Sequence, residues 1–217
     1  MFAAVTVFMF VCLMTTAHAD HHHHPCHTPN MTGLMNVMNF KGEIKALGAF
    51  TYDTTGHKLR FRSNESHPEN TSLGLDLLVF FEEGIFYEID SKNQSCEKKK
   101  LHCKLQPLDI PDDSKFHGTL NAGSASIEGE GVKVNVWRGK FSDGKGWRGS
   151  YSMSATMGCL PVLTIYFSEA TPLVISVMEV EMEIKDPDLL VVPSFCHGQP
   201  LEETPEGTVN SFLHEFV

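Results

Sequence analysis

Alternation of apolar and polar residues with a period of two runs through most of this 217-residue chain and confines it to β structure. In VKVNVW (132–137), Val132, Val134 and Val136 share one face, with Lys133 and Asn135 opposite. In EVEMEI (179–184), Val180, Met182 and Ile184 oppose Glu179, Glu181 and Glu183. A helix would scatter both sets around its circumference. Further strands are expected over 43–53, 58–62, 75–81, 84–90, 147–157 and 160–167. The turn signals DTTGH, FEEG, SDGKG and SEATP separate them. Such short connections make hairpins, so the fold class is all-β and mainly antiparallel. LDLLVFF (75–81) and LPVLTIYF (160–167) are apolar on both faces. Strands of that kind are buried on both sides or line an interior that the chain itself does not fill. No internal repeat of propeller or solenoid length is visible. Long loops are expected over 106–115 and 186–200, and a short helix after Thr204.

The first nineteen residues, MFAAVTVFMFVCLMTTAHA, read as a signal peptide. Val5 to Met14 forms the apolar run, and Ala17-His18-Ala19 has the small-x-small cleavage pattern. The run is shorter than the roughly 20 apolar residues of a membrane span, and no later segment is long and apolar enough to be one. The expected organisation is a signal peptide over 1–19, a disordered His-rich terminus over 20–25 and a single β domain over 26–217. The run DHHHHPCH (20–27) can hold a transition metal loosely, but a flexible tail fixes no coordination geometry. The net charge of -10 argues against nucleic acid, whose phosphates need a basic face. The 12 histidines would reduce that negative charge in an acidic compartment.

Removal of Cys12 leaves Cys26, Cys96, Cys103, Cys159 and Cys196, with no CxxC pair and no zinc-finger spacing. In a secreted chain, widely spaced cysteines read as disulfides. An odd number leaves at least one free or bridging to another chain. Four N-x-S/T sequons, at Asn30, Asn64, Asn70 and Asn93, reinforce the secretory reading and require surface positions. Asn64 and Asn70 lie in SNESHPENTS, which reads as an exposed loop. FYEIDSKNQSC (86–96) reads as a hairpin that exposes a sugar at Asn93 and anchors a disulfide at Cys96.

Catalytic patterns are missing from the sequence. There is no GxSxG elbow and no HExxH motif, and GKGWRGS (144–150) lacks P-loop spacing. His102 and Cys103 are adjacent, so on a strand they face opposite ways and do not form a dyad. The chain is therefore expected not to be an enzyme. The carboxylates of Asp109, Asp112 and Asp113, and of Glu202 and Glu203, form two acidic loops. Calcium takes six to eight oxygen ligands, so a site would have to be assembled from both.

The ordered motifs FEEGIFYEIDSKNQSC, PLDIP, GCLPV, IKDP and VVPSFC resemble the ependymin family, and LEETPEG is similar to fish members in particular. The likeness runs from Cys26 to Gly207. It implies two stacked, curved antiparallel sheets forming a half-open barrel around a deep apolar pocket, similar to bacterial lipoprotein carriers. It also implies a secreted or lysosomal glycoprotein, a homodimer and a hydrophobic ligand such as a lipid or fatty acid. The alternative it carries is a calcium-responsive protein of brain extracellular fluid, with contacts to extracellular matrix such as collagen. No calcium ligand transfers by motif, and no other cofactor is expected. By position, Cys26 is implied to pair with Cys159, and Cys96 with Cys196. Cys103 fits neither pair and is free or intermolecular. Each bridge closes a loop on the order of 100 residues or more, for which the chain-entropy account gives roughly 4 to 5 kcal/mol. Phe80, Phe86, Val136, Phe167, Val180 and Met182 are the expected pocket residues.

Overall fold

The structure is a computed structural model and describes residues 24–63, 75–101, 106–142, 147–168 and 172–203. The first six strands are β1 (Met31–Asn39), β2 (Ile44–Asp53), β3 (Lys58–Ser63), β4 (Asp76–Phe80), β5 (Ile85–Asp90) and β6 (Ser95–Lys100). They are followed by β7 (Lys115–Gly123), β8 (Gly131–Ser142), β9 (Trp147–Thr156), β10 (Pro161–Ser168), β11 (Leu173–Glu181) and β12 (Leu201–Glu202). Two 3-10 turns, Pro187–Leu190 and Ser194–Cys196, lie between the last two strands. All twelve strands form one sheet in the order β12-β6-β5-β4-β3-β2-β1-β11-β10-β9-β8-β7. Two meanders, β1 to β6 and β7 to β11, are thus joined where β1 pairs antiparallel with β11. The two expected layers are therefore halves of a single open sheet. Only β12 runs parallel to its neighbour, β6.

The alternation works as the sequence implies. On the inner face, Met35, Val37, Phe50, Tyr52, Leu59, Phe61, Leu77, Val79 and Phe86 from the first meander are at most 2% exposed. They share one cluster with Trp137, Tyr151, Met153, Tyr166 and Ile175 from the second. Leu108 and Ile110, in the loop before β7, close over it. That loop is tied down by Thr28, whose hydroxyl donates to the Leu108 carbonyl at 2.9 Å. Tyr52 donates to Gln106 Oε1, and Ser114 and Tyr151 pair through their hydroxyls at 2.6 Å. Burial, then nearby Asp109, raises the Tyr52 phenol well above its ordinary range, so it remains a neutral donor.

A second cluster occupies the outer face of β4–β6. Leu78, Phe80, Tyr87, Ile89 and Cys96 lie beneath Leu190 and Cys196 of the two 3-10 turns. This explains why β4 is apolar on both sides. The structure joins Cys96 to Cys196, with Cα atoms 5.6 Å apart, and so fastens this C-terminal strap to β6. Cys26 is joined to Cys159, with Cα atoms 5.9 Å apart, and fixes the N-terminal segment to the β9–β10 turn. These are the pairs the family resemblance implied. Beside the strap, Arg60 Nε and Nη2 donate to Asp76 Oδ1 and Oδ2 at 2.6 and 2.7 Å, a two-pronged pair with side chains only 8% and 15% exposed.

The end of β11 departs from the expectation for 179–184. The strand finishes at Glu181. Glu179 has φ +52° and the β1–β11 register shifts beside it, so the two-residue period breaks there. Val180 turns to the inner core, Met182 is 67% exposed, and Ile184 packs against the strap cluster. The expected helix after Thr204, the signal peptide, Cys103, Asn64 and Asn70 lie outside the described residues.

Two outcomes test this architecture. Gly48 sits where a Cβ would lie 2.1 Å from the Arg62 carbonyl oxygen across the β2–β3 pair. Gly48→Ala is expected to lower stability by about 2 kcal/mol in a urea titration, because backbone atoms must move apart. In the β5–β6 turn, Asp90 accepts from the Asn93 backbone N–H at 3.1 Å, from Asn93 Nδ2 at 2.6 Å and from the Lys92 N–H at 3.0 Å. These bonds, the Asn93 backbone bond foremost, hold the carboxyl below its ordinary value. A depressed folded value stabilises above the unfolded pKa, and the effect is lost as pH falls through the folded pKa. Asp90→Ala should therefore speed amide exchange at 92–93 at neutral pH, with the difference from wild type vanishing in acid.

Candidate ligand-binding face

Among the described residues, the centre of the inner core is closely packed. Met35, Val37, Leu59, Phe61, Phe86 and Ile175 are each 0% exposed. A void able to admit even one water leaves accessible area on its walls, so a ligand seat has to be sought where apolar side chains keep some surface. The outer face of β10, β11, β1 and β2 supplies such a place.

Register and parity define it. One row of cross-strand neighbours runs Val136, Ser154, Leu163, Ser176, Asn36 and Leu47 across six strands. The next row runs Arg138, Ser152, Ile165, Val174 and Met38. A third begins Lys140, Ser150 and Phe167. Phe167 makes an edge-on contact with Phe40, their ring centroids 5.7 Å apart. Leu34, Met38, Leu47, Leu163, Ile165 and Val174 are half-buried. Phe167 and Met178 are 45% and 41% exposed. Side chains on alternate residues point to one face, so these residues form a continuous apolar surface. A ladder of serines, Ser150, Ser152 and Ser154, runs along one side of it.

The ladder arises from GSYSMSAT in β9, where serines alternate with Tyr151, Met153 and Ala155. The larger residues and Ala155 are buried inside, and the serines point out. Asn36 Oδ1 is buried on the first row and accepts no hydrogen bond. An unpaired buried acceptor is unfavourable in the folded protein.

The expected pocket residues do not converge on one site. Val136 and Phe167 lie on this outer face, Val136 only 8% exposed at its margin. Phe86 belongs to the inner core and Phe80 lies under the strap. Val180 packs on the inner core, and Met182 is exposed beyond the end of β11. Sequence alternation assigned each residue a face within its own strand. It did not say what would cover that face. The serine ladder was legible as a period-two pattern in 150–154 and was missed because serine carries no apolar signal.

Among the described residues, no group of three or more His, Cys, Asp or Glu is placed to hold a metal ion. Asp109 accepts instead from the Thr28 backbone N–H, and Glu203 pairs with Lys100 at 3.2 Å. Of the described sequons, Asn93 is exposed at its hairpin turn, and Asn30 is half-buried with Oδ1 accepting from the Thr54 N–H at 2.8 Å.

Fold and face together define a disulfide-pinned β protein with an open sheet and one apolar outer surface. The family model for ependymin matches residues 69–196. Ependymin-2 of Salmo salar is 42% identical over 218 residues, covering 99% of this chain and 97% of the relative. Ependymin of Esox lucius is 40% identical over 210 residues, covering 94% of each. The chain belongs to the ependymin family. Among solved structures, LprF from Mycobacterium bovis aligns at a TM-score of 0.36 with 10% identity, covering 72% of this chain and 88% of that one.

Asn36→Leu removes the orphaned acceptor while keeping the same number and branching of side-chain heavy atoms. It is expected to stabilise the ligand-free protein by about 1 kcal/mol, read as a higher urea midpoint.

Proposed function

We propose that this protein is a secreted, non-catalytic carrier of a hydrophobic molecule, a lipid or fatty acid, seated on the outer face of β10, β11, β1 and β2. The observation that carries the reading is the run of Leu34, Met38, Leu47, Leu163, Ile165, Phe167, Val174 and Met178, which keep accessible surface on one face of the sheet. An apolar surface with a few polar groups at fixed positions is the general character of a small-molecule seat. Two disulfides between distant parts of the chain suit an oxidising, extracellular setting. The exposed turn at Asn93 suits a glycan.

The test is native mass spectrometry of protein from a eukaryotic secretory host, followed by denaturing lipid extraction. Wild type is expected to carry discrete lipid adducts. Phe167→Ser with Met178→Ser removes two exposed apolar groups, and surface changes of this kind usually alter stability by less than about 0.5 kcal/mol. Adduct occupancy should fall several-fold in this variant, with the unfolding midpoint unchanged. A wild-type protein that retains nothing after incubation with mixed brain lipids, or a variant that retains as much as wild type, would sink the reading.

A further inference from the structure

The carrier reading gives no role to the histidine run His21 to His24. Its imidazoles alone hold a metal in no fixed arrangement. The cleavage pattern Ala17-His18-Ala19 changes that. Removal of 1–19 leaves Asp20 as the first residue, with a free amino group, and His22 as the third. A histidine third from a free chain end completes a four-nitrogen chelate. The donors are the Asp20 amino group, the backbone nitrogens of His21 and His22, and His22 Nδ1. The covalent chain links them in fused rings, so the peptide itself sets the coordination geometry and the fold is not needed. Proline at the second or third place would remove a donor, and the first proline, Pro25, lies beyond the motif. The length of the run makes the feature insensitive to the exact cut. A chain starting at Ala19, Asp20, His21 or His22 has a histidine in third place.

Asp20 to His23 lie outside the described residues, and the structure shows how the chain is held directly behind them. Cys26 is bonded to Cys159 at the β9–β10 turn. The Thr28 backbone N–H donates to Asp109 Oδ1 at 3.3 Å, and its hydroxyl donates to the Leu108 carbonyl at 2.9 Å. His24 and His27, on either side of this anchor, are exposed. The chain therefore enters the fold from the surface, with His24 open to solvent. The described residues offer no competing group of three or more His, Cys, Asp or Glu.

We propose that the processed amino terminus, Asp20-His21-His22, is a square-planar binding site for Cu(II) or Ni(II). Four coplanar nitrogens match the preferred geometry of these ions, whereas Zn(II) prefers a tetrahedron that adjacent peptide nitrogens do not provide. The amino group and the two backbone nitrogens each give up a proton to solvent on binding. The site rests on the secreted part of the proposed function, through cleavage near Ala19, and is independent of the lipid seat.

The experiment uses the full chain secreted from a eukaryotic host with no tag at its amino end. Its first residue is read by intact mass after deglycosylation. Ni(II) and Cu(II) are then titrated, each alone, by visible absorption with glycine as competitor. Wild type should begin at Asp20, take up a single tightly held ion and give the yellow, diamagnetic Ni(II) complex of a square plane. His22→Ala removes the imidazole, and His21→Pro removes a backbone donor while keeping His22. Each should weaken Ni(II) binding by about a hundredfold or more, as expected when one arm of a linked set of donors is lost. Each should also abolish the square-planar band. His23→Ala with His24→Ala should keep both. All four positions precede Cys26, so the urea midpoint should not move. Octahedral, paramagnetic Ni(II) on wild type overturns the site in favour of loose imidazole binding. So does a loss in the His23 and His24 variant equal to that of His22→Ala. A secreted chain beginning after His22 overturns it while leaving the carrier reading intact. A chain that is not secreted and keeps its first nineteen residues removes both this site and the secreted part of the proposed function.

Discussion

The pairing of β1 with β11 is the contact on which the rest of the molecule depends. Each meander can form from hairpins with short connections, but neither alone buries both halves of the inner cluster. Setting Met35 beside Val177 and Val37 beside Ile175 makes the two meanders one sheet. It also makes the cross-strand rows from β8 to β2 continuous. The packed core and the apolar outer face are both consequences of that register. A slip of one residue would exchange them, turning Val37 outward and Met38 inward. The bulge at Glu179 breaks that register, and beyond it the strands pair again only at Thr32 and Glu181.

The outer face is divided by what covers it. Over β4–β6 the chain returns as a strap of two 3-10 turns and is fastened through Cys96 and Cys196. Leu78 and Phe80 thereby become core residues, although they point away from the main core. Over β10, β11, β1 and β2 the side chains of the same parity are left half-buried. One alternation pattern thus produces a second core in one half of the sheet and an uncovered apolar surface in the other. The presence of the strap decides between them.

Much of the strand framework could be read locally. The segments 43–53, 58–62, 75–81, 84–90, 147–157 and 160–167 correspond to β2, β3, β4, β5, β9 and β10 within a residue or two at each end. Strands without a strong apolar alternation were less visible. β7 is exposed along most of KFHGTLNAG because it is the sheet edge, so its sequence carries little of the pattern that burial imposes. β1 was obscured because Gly33 and Asn36 interrupt its apolar positions. A side chain at Gly33 would meet the Met178 carbonyl oxygen at 2.8 Å and the Phe50 ring at 3.0 Å from its Cβ, so glycine fits there.

The candidate site was legible only in part, for a related reason. Sequence alone determined the all-β class, the period of most central strands, the lack of any catalytic motif and the family resemblance that implied the cysteine pairs. These depend on residue type and spacing along the chain. Tertiary structure decided that Phe86 fills the core, that Phe80 lies under the strap, and that Phe167 faces outward beside Ile165 and the serine ladder. Which face a side chain takes is a local property of the strand. What lies over that face is set by β-strand neighbours and by segments that return from far along the chain, and no local pattern encodes them.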